Sequence, residues 1–414
     1  MKYNMVKLKE LCTVNQGLQI PISKRYKEPG ENRYFYITVQ FLKDNGENYY
    51  IENPPKSVTC TEDEILVVRT GNTGQVITGV AGCFHNNFFK VTPNEKIYFK
   101  YLYYALNNKK MHDAMLNAAS GTTIPDLKHS SFYDLEIPLP EISNQKKIAK
   151  ILDNICDKLK LNNEINNNLY ELSQKIYNRW FVDFEYPISS NQTYKSNGGS
   201  FKEVDGLVVP DNFIVNKLDE ICDCQNGHAF YKEGYDDSGL MVIDLGNVSL
   251  QGNFIYTNAD KYIDRNRIPN EKFIVKKNDL VMIMTDRKAT MDLLGKTAKI
   301  YEDKEYALNQ RIYRIRPTIN VNYVYSFLNS SSTLEKLKGL ALGSVQKYVN
   351  TNHINDLKIV VPSAEIMNEY SKVVDPVFKR MEENILENRN LEIMRDSLLP
   401  KLMNGEIDLD NIKI

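Results

Sequence analysis

Residues 143–180, SNQKKIAKILDNICDKLKLNNEINNNLYELSQKIYNRW, carry apolar side chains at steps that alternate between four and three. This heptad spacing predicts a long α-helix with one apolar stripe, about 36 residues and roughly 54 Å in length. The stripe reads Ile148, Leu152, Ile155, Leu159, Asn162, Asn166, Leu169, Ser173 and Ile176. Two asparagines therefore occupy the middle of an otherwise mostly apolar seam.

The same pattern returns 222 residues later in the chain. The equivalent stripe reads Tyr370, Val374, Val377, Met381, Asn384, Asn388, Leu391, Arg395 and Leu398. Gly121 and Gly343 stand at the same separation, and KLKELCTVNQG (7–17) resembles KLDEICDCQNG (217–227). The chain is therefore two copies of one unit, each a globular segment followed by a long helix.

We predict that the two helices pair as an antiparallel coiled coil, with Asn162 and Asn166 facing Asn384 and Asn388. A polar layer in an apolar seam costs stability but specifies register and orientation. The alternative is that these asparagines lie on two solvated helix faces. Antiparallel pairing would place the globular units at opposite ends of a rod.

The globular segments predict strands, because short β-branched and aromatic runs alternate with Gly, Asn and Pro. Each segment also has one predicted helix, at 98–116 and at 323–337. The fold class is therefore α+β, with two strand-rich α/β domains in tandem pseudo-repeat and two long helices. The predicted boundaries are domains at 1–140 and 211–362, helices at 141–180 and 363–400, a linker at 181–210 and a tail at 401–414.

Composition gives few functional constraints. Lys and Arg number 52 against 53 Asp and Glu, so the formal net charge is −1 and lacks the basic excess common in nucleic-acid binders. No apolar run is long enough to span a membrane, and no charged-then-apolar leader begins the chain. The six cysteines form no CxxC pair, and Cys222-x-Cys224 only weakly suggests a metal. We expect reduced thiols, a cytoplasmic location and no metal site.

Several motifs together resemble the specificity subunits of type I restriction-modification systems. IPLPEISNQKKIAKILDNI (137–155) is similar to the proximal repeat of that family, as are RWFVDFE (179–185), ALNQRIYRIRP (307–317) and LLPKLMNGEI (398–407). The resemblance covers essentially the whole chain. The second junction, VVPSAEIMNEY (360–370), departs from it because it lacks Pro-Leu-Pro and the glutamine of the first.

The resemblance implies that each globular unit is a target recognition domain for one half of an interrupted double-stranded DNA sequence. The helices would set the spacer and dock two methylation subunits, which bind S-adenosylmethionine and methylate adenine. Two restriction subunits using ATP and Mg could join them. This chain would be a non-catalytic reader without a cofactor of its own.

Two other classes stay open. One is a remnant of a fused restriction-methylation enzyme. Asn53-Pro54-Pro55-Lys56 resembles an adenine-methyltransferase motif, but lysine replaces its aromatic residue and no Gly-rich cofactor loop precedes it. Pro125-Asp126-Leu127-Lys128 resembles a nuclease motif without a matched second acid. The other class is a duplicated coiled-coil scaffold that binds protein.

Candidate DNA-binding residues fall in three polar segments of each unit. Arg, Asn and Gln after an apolar strand carry donors that suit guanine and adenine edges, although a plain hairpin turn is the alternative. These candidates are Arg69, Thr70, Asn72, Thr73 and Gln75, with Arg287, Lys288 and Thr290 in the second unit. The loops after Gly17 and Gly227 offer Gln19, Lys24, Arg25, Tyr26, His228, Tyr231 and Lys232. Where each domain meets its helix, phosphate contacts are expected from Thr122, Thr123, Lys128, Gln346, Lys347 and Tyr348.

Overall fold

The computed structural model describes residues 3–43, 48–120, 125–189, 192–230, 235–257, 259–344 and 346–409. The chain divides into two compact units, Met1–Leu159 with Asn390–Ile414, and Lys160–Arg389. The finer domain boundaries given above stay a prediction. Among the described helices, none combines the length and hydropathy needed to cross a lipid bilayer.

The first unit is a strand-rich domain followed by the start of a long helix. Its strands are β1 (Asn4–Lys7), β2 (Cys12–Gln16), β3 (Arg33–Ile37), β4 (Tyr50–Glu52), β5 (Thr59–Cys60), β6 (Ile65–Val68), β7 (Val76–Ile77), β8 (Gly82–Phe84), β9 (Phe88–Pro93) and β10 (Glu136–Leu139). Its helices are α1 (Phe99–Leu106), α2 (Lys109–Ala118), α3 (His129–Tyr133) and the first part of α4 (Ile142–Tyr177).

Two four-stranded sheets, in the orders β2-β9-β6-β7 and β4-β3-β8-β5, form the body of this unit. Strand β6 is buried along its whole length, because Ile65, Leu66, Val67 and Val68 pack on both faces of its sheet. Strands β1 and β10 pair antiparallel, so the first strand of the chain closes beside the strand that leads into α4.

The second unit contains the linker hairpins, the second domain and most of the last helix. Its strands are β11 (Pro187–Ser189), β12 (Gln192–Thr193), β13 (Phe201–Val204), β14 (Leu207–Pro210), β15 (Ile214–Lys217), β16 (Cys222–Asn226), β17 (Leu240–Ile243), β18 (Lys261–Ile263), β19 (Ile274–Val275), β20 (Leu280–Ile283), β21 (Thr285–Asp286), β22 (Thr297–Lys299), β23 (Tyr306–Leu308), β24 (Ile312–Pro317), β25 (Lys347–Tyr348) and β26 (Lys358–Val361). Its helices are α5 (Leu218–Ile221), α6 (Val321–Leu328), α7 (Ser331–Gly339), α8 (Thr351–Asn355) and the larger part of α9 (Ala364–Met403).

The two four-stranded sheets of the second unit repeat those of the first, strand for strand. Their orders are β16-β24-β20-β22 and β18-β17-β23-β19, and β15 pairs antiparallel with β26 as β1 does with β10. Lys7 bonds Asp134 at 3.1 Å, and the equivalent Lys217 bonds Asp356 at 2.6 Å. The internal repeat of the sequence is thus a repeat of fold, and the α+β prediction is confirmed.

Each domain is fastened to its own long helix by an aspartate at the same repeat position. In the first unit, Asp153 accepts hydrogen bonds from Lys100 Nζ at 2.6 Å and from the Tyr104 hydroxyl at 2.8 Å. In the second, Asp375 accepts from Asn322 Nδ2 at 2.8 Å. Lys100 and Asn322 occupy equivalent positions on α1 and α6. Both units therefore use an aspartate as the acceptor at this position, whereas the donor is a lysine in the first unit and an asparagine in the second.

The single helix predicted in each domain is wrong, because both are divided in two. Asn108 lies between α1 and α2 and is the N-cap of α2. Its side chain accepts a hydrogen bond from the backbone N–H of Met111 at 3.0 Å. Ser330 caps α7 in the same way at Thr333. Asparagine and serine favour the cap over the helix interior, since their short polar side chains bond nearby backbone groups.

The asparagine layer lies in the second unit, and its pairing is antiparallel as predicted. Asn162 Nδ2 donates to Asn388 Oδ1 at 2.9 Å, and Asn384 Nδ2 donates to Asn166 Oδ1 at 2.8 Å. These two bonds are related by the 222-residue repeat, so the layer has local two-fold pseudo-symmetry. All four side chains are buried, and Oδ1 of Asn162 and of Asn384 has no hydrogen-bond partner among the described residues.

A lysine lies buried between the second domain and α9. Lys299 is 5% exposed, donates to Asn322 Oδ1 at 2.8 Å and lies over the rings of Tyr301 and Phe378. Burial lowers the pKa of this amine to about 8. Neutral and aromatic groups therefore hold a lysine whose charged form is disfavoured by desolvation.

Candidate nucleic-acid interface

The polar segment after β6 is held against the segment that leads to α3. The backbone N–H of Leu127 donates to the Arg69 carbonyl at 3.1 Å, and Thr70 forms an isolated β-bridge with Asp126. The second unit has the same arrangement, because β21 pairs with β25 and Val349 N–H donates to the Met284 carbonyl at 3.0 Å. Two of the predicted segments, distant in sequence, are thus neighbours in each domain.

Arg69 forms an ion pair with Asp126, which was not predicted from the sequence. Its Nε and Nη2 donate to Asp126 Oδ1 and Oδ2 at 2.6 and 2.8 Å, and Thr70 Oγ1 donates to Oδ1 at 2.9 Å. The hydrogen bond from Arg69 is the main reason that the pKa of Asp126 lies below its usual range. Both side chains stay partly exposed, at 26% and 29%.

The other candidates of this segment divide into buried and exposed residues. Thr73 is buried, and its Oγ1 donates to the Pro125 carbonyl at 2.7 Å, which fixes the turn. Asn72 is exposed and donates from Nδ2 to Gln75 Oε1 at 3.3 Å. Lys128 is exposed and immediately precedes α3. Asn72, Gln75 and Lys128 are therefore placed for contact with a ligand, and Thr73 for support.

The predicted residues Thr122, Thr123, Tyr231 and Lys232 lie outside the described residues.

The equivalent segment of the second unit presents different side chains on the same backbone frame. Asp286 is buried and accepts from the backbone N–H groups of Lys288 and Leu293, at 2.9 and 2.8 Å. Arg287 is exposed, and its guanidinium forms no hydrogen bond or ion pair with the described residues. Thr290 Oγ1 donates to Asp292 at 2.7 Å. Arg287 is the candidate here with the most accessible donors.

The three junction candidates of this unit lie on β25 and directly before it. Tyr348 is 42% exposed, and Lys347 is partly exposed. Gln346 Nε2 is buried and has no hydrogen-bond partner within the described residues. Tyr348 occupies the position of Asp126 and Met284 that of Arg69, so the ion pair of the first unit has no counterpart here.

The loops after Gly17 and Gly227 begin at a close approach between backbones. A Cβ at Gly17 would overlap the carbonyl oxygen of His85, and one at Gly227 would overlap that of Asn309. Glycine is required at both positions because these carbonyls leave no room for a side chain.

Arg25 and Tyr26, two candidates of the first of these loops, are engaged within the domain. Arg25 donates twice to the Ile20 carbonyl, at 2.9 and 2.7 Å, and lies over the Tyr36 ring. The Tyr26 ring stacks under Arg33. Gln19 and Lys24 are exposed, whereas His228 contacts the rings of Phe230 and Phe273. Gln19 and Lys24 keep the more accessible polar groups.

The cysteines show no arrangement for holding a metal within the described residues, and neither do His, Asp and Glu groups. Cys222 and Cys224 point to the same face of β16, and burial raises the pKa of both thiols. A protonated thiol is a poor metal ligand.

Sequence reasoning missed Asp126 as a partner of the polar segment. Its only local signal was the Pro125-Asp126-Leu127-Lys128 motif, which pointed to a nuclease. The carboxylate and Arg69 are 57 residues apart in the chain, and this pairing is not visible in any local pattern.

Comparison with known proteins gives consistent matches along the chain. The type I restriction modification DNA specificity domain matches residues 1–171 and again residues 210–392. The chain is 24% identical over 399 residues to the MjaVIII specificity subunit of Methanocaldococcus jannaschii, covering 92% of this chain and 88% of that subunit. It is 25% identical over 373 residues to the HindI specificity subunit of Haemophilus influenzae, covering 77% and 80%.

A solved structure agrees with the fold. The crystal structure of the type I restriction-modification S subunit from M. genitalium covers 97% of this chain and 96% of its own, with a TM-score of 0.56 and 16% identity. At that identity the likeness concerns the fold alone.

Proposed function

The chain belongs to the type I restriction-modification DNA specificity family, and on that premise we propose that it is the DNA-reading subunit of such a system. Each domain reads one half of a bipartite target. The observation that carries this is one backbone frame, present twice, with different polar side chains at the same place. A protein that reads two different half-sites needs a constant frame and variable contacts.

The contacts to DNA come from exposed or partly exposed donors around these segments. Asn72, Gln75 and Lys128 supply them in the first domain, and Arg287 and Lys347 in the second. The near-neutral net charge of the chain supports a division of labour, in which partner subunits provide much of the phosphate neutralisation that DNA binding requires.

The long helices set the distance between half-sites and dock two adenine methylation subunits. Exposed apolar side chains on the helices of the second unit support a docking role. Leu161 and Leu172 on α4 are 50% and 45% exposed, and Val373 on α9 is 45% exposed. Exposed apolar groups on a helix surface favour contact with another protein.

Catalysis resides in the partners under this proposal. S-adenosylmethionine binds to the methylation subunits, and ATP and Mg to restriction subunits where these join the complex. The chain itself acts without a cofactor, and the complex works on cytoplasmic DNA.

The test is an adenine-methylation map of the source genome, obtained by single-molecule sequencing with and without this gene. We expect loss of one motif with two specified halves and an unspecified spacer. Restoring the gene on a plasmid controls for effects on its neighbours. A map that lacks such a motif in both strains, while the methylation subunits are expressed, would refute the proposal and favour a protein-binding scaffold.

A further inference from the structure

Arg69 retains an unused donor edge that points away from Asp126. An arginine guanidinium has five N–H donors in a planar fork. Asp126 accepts one from Nε and one from Nη2. The end formed by Nη1 and the second Nη2 hydrogen donates no hydrogen bond to the described residues. Because the group is planar, fixing one edge also fixes the direction of the other.

Asp126 is itself held from two sides, so it can act as a fixed support. Its backbone exchanges two hydrogen bonds with Ser120, at 3.0 and 2.9 Å, and its carboxylate also accepts from Thr70. The hydrogen bond from Arg69 lowers the pKa of this carboxyl group further below its usual range, so the pair stabilises the ionised form. Neither partner of the ion pair is therefore free to turn independently of the backbone.

The pair suits a base edge better than a phosphate. Asp126 neutralises the charge of Arg69, which removes most of the attraction to a phosphate and adds a repelling carboxylate nearby. The remaining edge offers parallel N–H donors, and guanine presents two acceptors, O6 and N7, in the major groove at matching spacing.

From this geometry we propose that Asp126 is a positioning residue, which holds Arg69 so that its outer edge reads a guanine in the half-site of the first domain. The proposal rests on the proposed function and adds a named contact to it. It also assigns a role to the Pro125-Asp126-Leu127-Lys128 motif. The second domain has Met284 and Tyr348 at the equivalent positions, so the device is confined to one half-site.

The experiment uses the complete methylation complex, reconstituted with wild-type or variant chain, and a DNA library randomised in both half-sites. Methylated molecules are sequenced, which gives the preference for each base at each position. Arg69→Ala should reduce the preference for guanine at one position of one half by roughly 5- to 150-fold. Asp126→Asn should weaken the same position, and the other half should be unchanged.

The double variant separates positioning from a general structural role. Asp126→Asn should have little further effect in the Arg69→Ala background, because it acts through Arg69. Arg69→Lys keeps the charge but cannot bond Asp126 and a base at once, so it should lose the preference while the fold is retained. Asp134→Asn, which removes an exposed carboxylate bonded to Lys7 in the same domain, is the matched control and should preserve every preference.

Two results would overturn the proposal. One is uniform weakening at all sequences in Arg69→Ala, which identifies a phosphate contact or a support. The other is an unchanged guanine preference in either single variant, Arg69→Ala or Asp126→Asn. A wild-type complex without any bipartite preference would instead refute the proposed function, so the two failures are distinguishable.

Discussion

Replacing Asn166 and Asn384 with leucine, singly and together, tests the buried amide layer. The two side chains are 5% and 0% exposed, and one hydrogen bond of 2.8 Å joins them. In Asn166→Leu, the Asn384 amide loses that bond, and its Oδ1 already has no partner among the described residues. A buried polar group left without a partner costs about 1–3 kcal/mol.

The double variant removes both amides, so neither is stranded. Two facing leucines bury apolar surface in a seam that is otherwise mostly apolar, and such replacements are often stabilising. Each single variant, which sets an asparagine opposite a leucine, should therefore be less stable than the mean of the wild type and the double variant, by about 1–3 kcal/mol. For a unit of 150–250 residues this corresponds to roughly 2–12 °C in Tm. The double variant should also melt above the wild type.

The assay is thermal unfolding of the four full-length proteins at one concentration, followed by circular dichroism and calorimetry. Asn167→Leu, on an exposed face of the same helix, is the control and should stay within about 0.5 kcal/mol of the wild type. Additive single effects, or a double variant less stable than both singles, would refute the reasoning from buried amides.

Three further predictions concern other parts of the molecule. Asp153→Ala should lower the free energy of unfolding, measured in urea, by about 1–3 kcal/mol, because it leaves the hydroxyl of the buried Tyr104 without an acceptor. Asp157→Ala, at an exposed position of the same helix, is the control and should have little effect. Equal losses in the two variants would contradict the role of Asp153 in joining the domain to its helix. Burial lowers the pKa of Lys299 to about 8 from 10.5, so the unfolded state binds more protons between these values. The stability of the wild type relative to Lys299→Met should therefore rise by ~3 kcal/mol between pH 8 and 10.5. A difference that does not change with pH would contradict the lowered pKa of the buried amine. Burial raises the thiol pKa of Cys12, Cys60 and Cys83 to about 11 or 12. Iodoacetamide at pH 8 should therefore label these three cysteines only after denaturation, as counted by mass spectrometry. Rapid labelling of the native chain at these positions would contradict their burial.

The long helices and the repeat could be predicted from sequence because their signals are periodic along the chain. The heptad positions 148, 152, 370, 374 and 381 are all buried. The first two lie in the core of the first unit and the other three in that of the second, as expected where the apolar stripe of a helix packs against other elements. The amide pairing followed from the same periodicity once antiparallel pairing was assumed. The helix breaks at Asn108 and Ser330 were missed, since apolar spacing continues across both caps.

The candidate interface was predictable only in outline. A polar segment after a buried strand is a local pattern, and Arg69 belongs to it. Its engagement by Asp126 depends on a bridge between segments 57 residues apart, which the order of residues does not reveal. For Arg25 the sequence likewise predicts an exposed cation. Its guanidinium instead donates to the Ile20 carbonyl and lies over the Tyr36 ring.

The amide register also has a consequence for which DNA spacers the protein can use. The next register that restores the heptad lies seven residues away, a slide of about 10.5 Å. Successive base pairs are about 3.4 Å apart, so this slide equals the length of about three base pairs. A slide in one direction would set Asn162 opposite Met381, and a slide in the other would set it opposite Arg395, so the amides would be unpaired in both cases. Under the proposed function, sliding of the helices therefore offers no route to a spacer one base pair longer or shorter.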